Sequence, residues 1–261
     1  MTKLTPRDWW KSYFSRNYAR LYRGPLAPEL ATDSEIETLE RIFSGVKAPV
    51  LDVGCGFGRH LGPLRGRRLP VYGVDWSAEL LREVPRTHRR AVVRGDMREL
   101  PFRGAAFAGA YMLFNTFGYF EDGDNETVLG ELHRVLRPGS RLVMDIPVRF
   151  GMKKATGEMP ASLRVQEEYA IYENWTYDKE RRRLRATGAW ERRDERQDWE
   201  LSLRLYTPLE IQRLLRRAGF QDEMEIRPLE DLELLLTSAR VPEPRERMWQ
   251  QQTNMVIAAV A

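Results

Sequence analysis

The chain has 261 residues, 42% of them hydrophobic and 31% charged, with a formal net charge of +4 and one cysteine. That length and apolar content can bury a substantial core, and no apolar run approaches the roughly 20 residues of a membrane-spanning helix. The N-terminal segment lacks the apolar stretch of a secretory leader, a lone Cys55 leaves no internal disulfide, and three histidines stand at no metal-ligand spacing from it, so a reducing cytoplasm and no metal are expected.

Residues 9–22 carry Trp9, Trp10, Tyr13, Phe14, Tyr18 and Tyr22 at helical spacing. Such a stripe packs into a core by default. Aromatic faces also hold cations well, so a helical lid bearing Tyr13, Tyr18 and Tyr22 over a bound ligand is the functional alternative.

Residues 50–60 read VLDVGCGFGRH, an apolar strand followed by Gly54, Gly56 and Gly58 at alternate positions. Glycine without a Cβ permits positive φ and close approach of a ligand to backbone, and the loop opens into a helix whose free N–H groups favour a polar or negative ligand end. A dinucleotide fingerprint requires G-x-G-x-x-G, and Arg59 stands where its third glycine belongs. That mismatch counts against nicotinamide and flavin dinucleotides. Asp52 sits inside the strand end, where it is expected to hold the loop. Cys55 is expected as a small packed side chain.

A second strand, VYGVD at 71–75, ends at Asp75, whose carboxylate can accept both hydroxyl protons of a ribose. Trp76 offers an aromatic plane beside a base, and Ser77 an N-cap for the helix after it. A third strand, AVVRGD, ends at Asp96 before Met97, and a fourth is read from Phe107 past Leu113 and Asn115 to Asp122. After the helix that carries His133, read as structural, a fifth strand covers 141–147. Acidic residues at consecutive strand ends fall where open α/β sheets bind ligands.

Beyond Pro147 the pattern changes. Leu163, Val165, Tyr169, Ile171, Trp175 and Tyr177 alternate as one half-buried strand, and strands near 183–191 and 199–205 follow. Joined by charged turns, they predict a three-stranded antiparallel insertion. Thr207, Pro208 and Glu210 then mark a helix start with a capping box, Gly219 marks its end, and residues 255–261 read as a buried C-terminal strand.

The series D-x-G-x-G-x-G at Asp52–Gly58, GDMRELPF, FNTFGYFED and LHRVLRPGSRLVMDIP resembles the small-molecule branch of the class I S-adenosylmethionine (SAM) methyltransferases, over about residues 30–147. The resemblance implies an α/β fold, a Rossmann-like sheet with helices on both faces, plus an antiparallel β insertion between the fifth strand and the last core helix. Its expected divisions are an N-terminal helical lid (1–30), a SAM-binding core (31–149), the insertion as substrate cover (150–206) and completion of the core (207–261). It implies Gly54, Cys55, Gly56, Arg59, Asp75, Trp76, Asp96, Met97, Leu113 and the lid residues Tyr13, Tyr18 and Tyr22 as cofactor contacts. Asn115, Phe117 and Tyr119 are the residues that would orient the substrate.

The expected activity is methyl transfer from SAM to nitrogen or oxygen of a small molecule, releasing S-adenosylhomocysteine, by a monomer or homodimer. Positioning and exclusion of water supply the catalysis, and a general base is optional. Residues 59–94 hold nine arginines against three acids, so an RNA methyltransferase is the alternative. A non-catalytic SAM-binding protein is another. The string FNTFGYF lacks the Asn/Asp-Pro-Pro-Tyr/Phe of many nucleic-acid and protein amino-group methylases, which weighs against RNA.

Overall fold

A computed structural model describes residues 7–24, 32–147, 162–166, 168–221, 225–228 and 254–261. Its centre is five parallel strands, β1 (Val50–Val53), β2 (Val71–Asp75), β3 (Val92–Arg94), β4 (Phe107–Met112) and β5 (Leu136–Pro147), in the order β3-β2-β1-β4-β5. Beyond β5, β11 (Asn254–Val260) pairs antiparallel with it and β10 (Glu225–Pro228) antiparallel with β11. All four residues of β1 are buried, as a parallel strand covered on both faces requires. The chain turns back on itself at β1, with β2 on one side and β4 on the other. That reversal opens a crevice at the carboxyl ends of the strands.

One face of the sheet is covered by α3 (Thr32–Ile42) and α4 (Leu61–Gly66), the other by α6 (Asp122–Val135) and α7 (Pro208–Arg217). Phe43 seats the end of α3 directly on β4: a Cβ on Gly109 would stand 2.4 Å from its ring. The cap of α7 forms as its sequence signals. Thr207 Oγ1 accepts the Glu210 N–H at 3.2 Å, and the Glu210 carboxylate accepts the Thr207 N–H at 2.8 Å. Gly219 ends the turn at φ +104° over the ring of His133, which packs on Phe220 and has the structural role read for it.

The insertion differs from its expectation. The alternation from Leu163 to Tyr177 is two strands, β6 (Ser162–Gln166) and β7 (Tyr169–Asp178), which fold back on each other with Gln166 opposite Tyr169. With β8 (Arg183–Arg192) and β9 (Glu195–Arg204) they make a four-stranded antiparallel sheet in chain order. A tight turn keeps the odd-numbered positions apolar on both sides of it, so periodicity alone hides the break. Leu163 and Val165, at the free edge, are the exposed apolar residues this leaves.

The fourth core strand is also shorter than read. Phe114 and Asn115 take left-handed backbone conformations, φ +61° and +57°, and end the strand at Met112, so residues 113–121 form a loop over the crevice. The N-terminal aromatic stretch is two helices, α1 (Trp9–Tyr13) and α2 (Arg16–Arg23), folded against the crevice and the insertion sheet.

Candidate active site

The loop after β1 adopts the conformation its glycines were expected to serve: Gly54, Gly56 and Gly58 all have positive φ, +75°, +53° and +76°. The Gly54 and Cys55 N–H groups both donate to the Val74 carbonyl, clamping the loop onto β2. Two close approaches demand further small residues. A Cβ on Gly54 would lie 2.4 Å from Thr116 Cγ2, and one on Gly73 would lie 2.6 Å from Cys55 Sγ. Gly73 is therefore part of the loop's architecture although it sits mid-strand. Burial, reinforced by Asp52 and Asp75, pushes the Cys55 thiol well up, so it is a packed side chain and no nucleophile.

Asp75 is the organising carboxylate. One oxygen accepts the Gly56 N–H at 2.8 Å and the other the Ser77 N–H at 2.7 Å, so it joins the glycine loop to the start of α5 (Ala78–Glu83). Each oxygen keeps a lone pair for a further donor. Burial raises the carboxyl to about 6, against the lowering effect of those two N–H groups. Ser77 caps α5, accepting the Leu80 N–H, and donates its own proton to the Phe14 carbonyl, so the cap also ties down the N-terminal segment.

A cleft surrounds this carboxylate. Gly54, Cys55, Gly56, Arg59, Asp75, Trp76, Asp96, Met97, Leu113, Tyr18 and Tyr119 all line it, as do Trp10, Phe14, Phe57 and Phe120, which sequence reading did not single out as contacts. Trp10 stacks edge-on against both Trp76 and Phe120, so α1 closes one wall. Tyr13, Tyr22, Asn115 and Phe117 do not line it. Tyr13 packs between Trp190 and Trp199 of the insertion sheet, Tyr22 stacks behind Tyr18 and Phe114, and Phe117 is buried against Tyr206. Helical spacing identifies an aromatic stripe but not which ring faces which neighbour. The left-handed turn at Phe114 and Asn115 rotates the following residues away from a strand's alternation.

Asp96 lines the cleft with both carboxylate oxygens engaged by the Arg98 guanidinium, at 2.7 to 3.3 Å. Arg98 also reaches Asp124 at 2.9 Å and lies over the Phe120 ring at 4.4 Å, so it fastens the cleft floor to α6. Arg59 lines the cleft while its guanidinium pairs with Glu35 of α3, 3.0 Å between Nη2 and Oε1, and with Thr32. His60 meets the same carboxylate at 3.0 Å. Burial alone would raise the Glu35 carboxyl, but the hydrogen bonds and charges of His60 and Arg59 outweigh it and hold Glu35 at about 2.

That pairing predicts a stability effect. Glu35→Gln leaves Arg59 buried without its counter-charge and is expected to cost about 3 kcal/mol at neutral pH. Because the folded pKa lies below the ordinary 4.5, the contribution is present above about 4.5 and is lost as pH falls through 2. Denaturant titrations of both proteins at neutral pH and near pH 3 check it: the gap narrows at the lower pH, and an equal gap at both would refute the pairing.

Five of the nine arginines of residues 59–94, Arg59, Arg65, Arg67, Arg89 and Arg94, have side-chain partners within the protein, while Arg68, Arg82, Arg86 and Arg90 are exposed. Arg65 donates to the Val71 carbonyl, Arg67 pairs with Glu40, Arg89 donates to the Val84 and Arg82 carbonyls, and Arg94 donates to the Trp76 carbonyl while covering its ring.

The residues of the cleft fit SAM. Oδ2 of Asp52 is buried at its base and accepts no hydrogen bond among the described residues, which suits a cationic amino group. Asp75 retains acceptor capacity for ribose hydroxyls, and the rings of Trp76, Phe57 and Tyr119 line the same cleft, the kind of aromatic surroundings that suit an adenine and a sulfonium.

Comparison with known proteins agrees with this geometry. Residues 50–139 match a family described as a methyltransferase domain. An O-methyltransferase of Pyrenophora dematioidea is 31% identical over 123 residues, 44% of this chain and 45% of that protein. The chain thus spans less than half the length of the curated relatives it matches first. Among solved structures, the CcbJ methyltransferase of Streptomyces caelestis superposes with a TM-score of 0.74 at 19% identity, covering 98% of this chain and 99% of that one. A SAM-bound amino pentose methyltransferase of Micromonospora echinaspora superposes with a TM-score of 0.64 at 20% identity, covering 94% and 97%. At such identities the superpositions establish the fold.

Proposed function

We propose that the chain is a class I SAM-dependent methyltransferase that transfers a methyl group to nitrogen or oxygen of a small-molecule acceptor. The carrying observation is the half-buried Asp75 carboxylate, joined to the glycine loop and lining an aromatic cleft. When bound, SAM supplies a methyl on an activated sulfonium leaving group, which the acceptor's lone pair displaces in line with release of S-adenosylhomocysteine.

The chain's own residues bind, orient and exclude water. Asp75 holds the ribose, Asp52 the amino group, and Trp76, Met97 and Phe120 the base, while Trp10, Phe14 and Tyr18 cover the cleft from the N-terminal helices. Closing aromatic rings around a cation strengthens their attraction to it and keeps solvent from the reacting carbon. Tyr119 borders the cleft on the side of the insertion sheet, where an acceptor would arrive. The O-methyltransferase relatives and the amino pentose methyltransferase fold neighbour support a small acceptor attacked at oxygen or nitrogen. A single buried cysteine supports a reducing cytoplasm as its compartment.

Calorimetric titration with SAM, S-adenosylhomocysteine and NADH tests the reading. Saturable binding of both sulfur ligands and none of NADH is expected, and the absence of SAM binding would overturn it. Internal pairing of five of the nine arginines, and small-molecule methyltransferases among the relatives, disfavour RNA as acceptor. Filter binding of bulk tRNA with a steep salt dependence would reverse that preference.

A further inference from the structure

The mechanism above leaves one ionisable side chain of the cofactor cleft unused. His60 is only 4% exposed, yet it lines the cleft together with Asp52. Its Nε2 stands 3.0 Å from the Glu35 carboxylate, whose carboxyl is held at about 2 and which can therefore only accept, so that nitrogen carries the hydrogen and donates it. A neutral ring so oriented presents a lone pair on Nδ1. Edge-on packing against Tyr111, ring centroids 5.7 Å apart, fixes the plane of the ring.

Nδ1 faces Asp52 Oδ2 at 3.8 Å, too far for a hydrogen bond between the two. Oδ2 and the nearby Tyr111 hydroxyl, which burial and then the charge of Asp52 raise, are both buried with no partner in hydrogen-bonding geometry among the described residues. Arg59 gives its guanidinium to Glu35 and Thr32 instead of to Asp52. Two acceptors, one of them charged, thus stand side by side at the cleft. A group with several diverging hydrogens and a positive charge satisfies both at once. A primary ammonium has three such hydrogens, whereas a hydroxyl has one and no charge to meet the carboxylate.

We infer that His60 Nδ1 and Asp52 Oδ2 together hold a primary ammonium group, the amino group at the amino-acid end of the cofactor. This rests on the SAM-binding reading above and adds His60 to it as a direct contact. Glu35 and Tyr111 are then positioning residues, one fixing which ring nitrogen carries the hydrogen and the other the plane of the ring.

Calorimetry with S-adenosylhomocysteine and its deamino analogue, in which hydrogen replaces the amino group, tests the inference. The unaltered protein is expected to bind the parent compound at least about tenfold more tightly. His60→Gln can still donate to Glu35 but offers no acceptor at the Nδ1 position, so that preference should fall roughly fivefold, the contribution of one hydrogen bond. His60→Asn gives up Glu35 and keeps an acceptor near the Nδ1 position, so most of the preference should remain. The reverse order, a preference kept by glutamine and lost with asparagine, would mean that His60 only braces Glu35 and would overturn the inference. If neither variant folds, nitrogen NMR of the unaltered protein decides: the His60 Nδ1 resonance should shift more with S-adenosylhomocysteine than with the deamino analogue, and equal shifts would refute the contact. Equal affinity of the unaltered protein for the two ligands would remove the ammonium site and leave the SAM-binding reading in place. Failure of S-adenosylhomocysteine to bind would remove that reading, and the inference with it.

Discussion

Asp75→Ala is expected to lower the affinity for SAM by more than tenfold, because ribose hydroxyls would lose a half-buried charged acceptor that contributes roughly 1.5 to 3 kcal/mol. The same change leaves the Gly56 and Ser77 N–H groups without the oxygens they now meet at 2.8 and 2.7 Å, so the glycine loop loses its tie to α5. Asp75→Asn keeps one acceptor oxygen and is expected to fall between. Calorimetric titration of the three proteins checks the order, and unchanged affinity in the alanine variant would remove Asp75 from the site.

The carboxyl's position at about 6 adds a pH dependence. SAM affinity is expected to weaken as pH drops below about 6, where Asp75 takes a proton and ceases to be a purely accepting anion. Stability moves the opposite way. Between the ordinary 3.8 and about 6 the folded protein holds a proton that the unfolded chain has released, so the stability Asp75 contributes is complete below 3.8 and lost as pH rises through 6. A binding site is thus maintained at neutral pH by keeping a charge where burial disfavours it.

Arg183→Leu is expected to give the largest loss of stability, about 3 to 5 kcal/mol. Arg183 is 6% exposed, and its guanidinium donates to the carbonyls of Phe120 at 2.8 Å, Tyr119 at 2.9 Å and Ser202 at 3.0 Å, and to Ser202 Oγ at 2.7 Å. Leucine fills the apolar part of that space and leaves those acceptors buried and unmet. Beside it the Arg204 N–H donates to the Gly118 carbonyl, and Asn125 exchanges hydrogen bonds with the Phe120 backbone and donates to Tyr206. Gly118, at φ +97° and with its Cβ direction 2.7 Å from the Arg204 carbonyl oxygen, has no room for a side chain. The loop from Gly118 to Phe120 is therefore held to the insertion sheet by a single buried cation and its neighbours.

That loop carries Tyr119 and Phe120 into the cofactor cleft, so the variant should lose SAM affinity together with stability. Thermal unfolding should shift down by roughly 10 °C, from the usual scaling for a protein of this size. Arg183→Lys is the discriminating control. It keeps the charge but cannot span four acceptors, and should recover only part of the loss. A leucine variant with wild-type melting and wild-type SAM affinity would show that the insertion does not position the loop.

What the chain announced by itself is local. An apolar run through Asp52 to Val53 followed by alternate glycines makes a strand and a left-handed loop, because only glycine takes those φ values without strain. Asp75 at a strand end, Ser77 as an N-cap and the Thr207–Glu210 capping box are equally self-contained, each needing only a few residues on either side. These features sufficed for the parallel strands and the cleft at their carboxyl ends.

Tertiary structure decided whatever depends on partners distant in sequence. Arg59 is written beside the glycine loop, yet its guanidinium is claimed by Glu35, 24 positions away. Arg183 reads as one charge in a mixed tract, and becomes a buried tie to backbone 63 positions away. The split of residues 163–177 at a turn that preserves the alternation and the rotation of Phe117 into the core carry no local signature either. Periodicity specifies which face of an element is apolar. Which side chain on another element meets that face, and which buried charge finds a counterpart, is settled only when the sheets and helices pack.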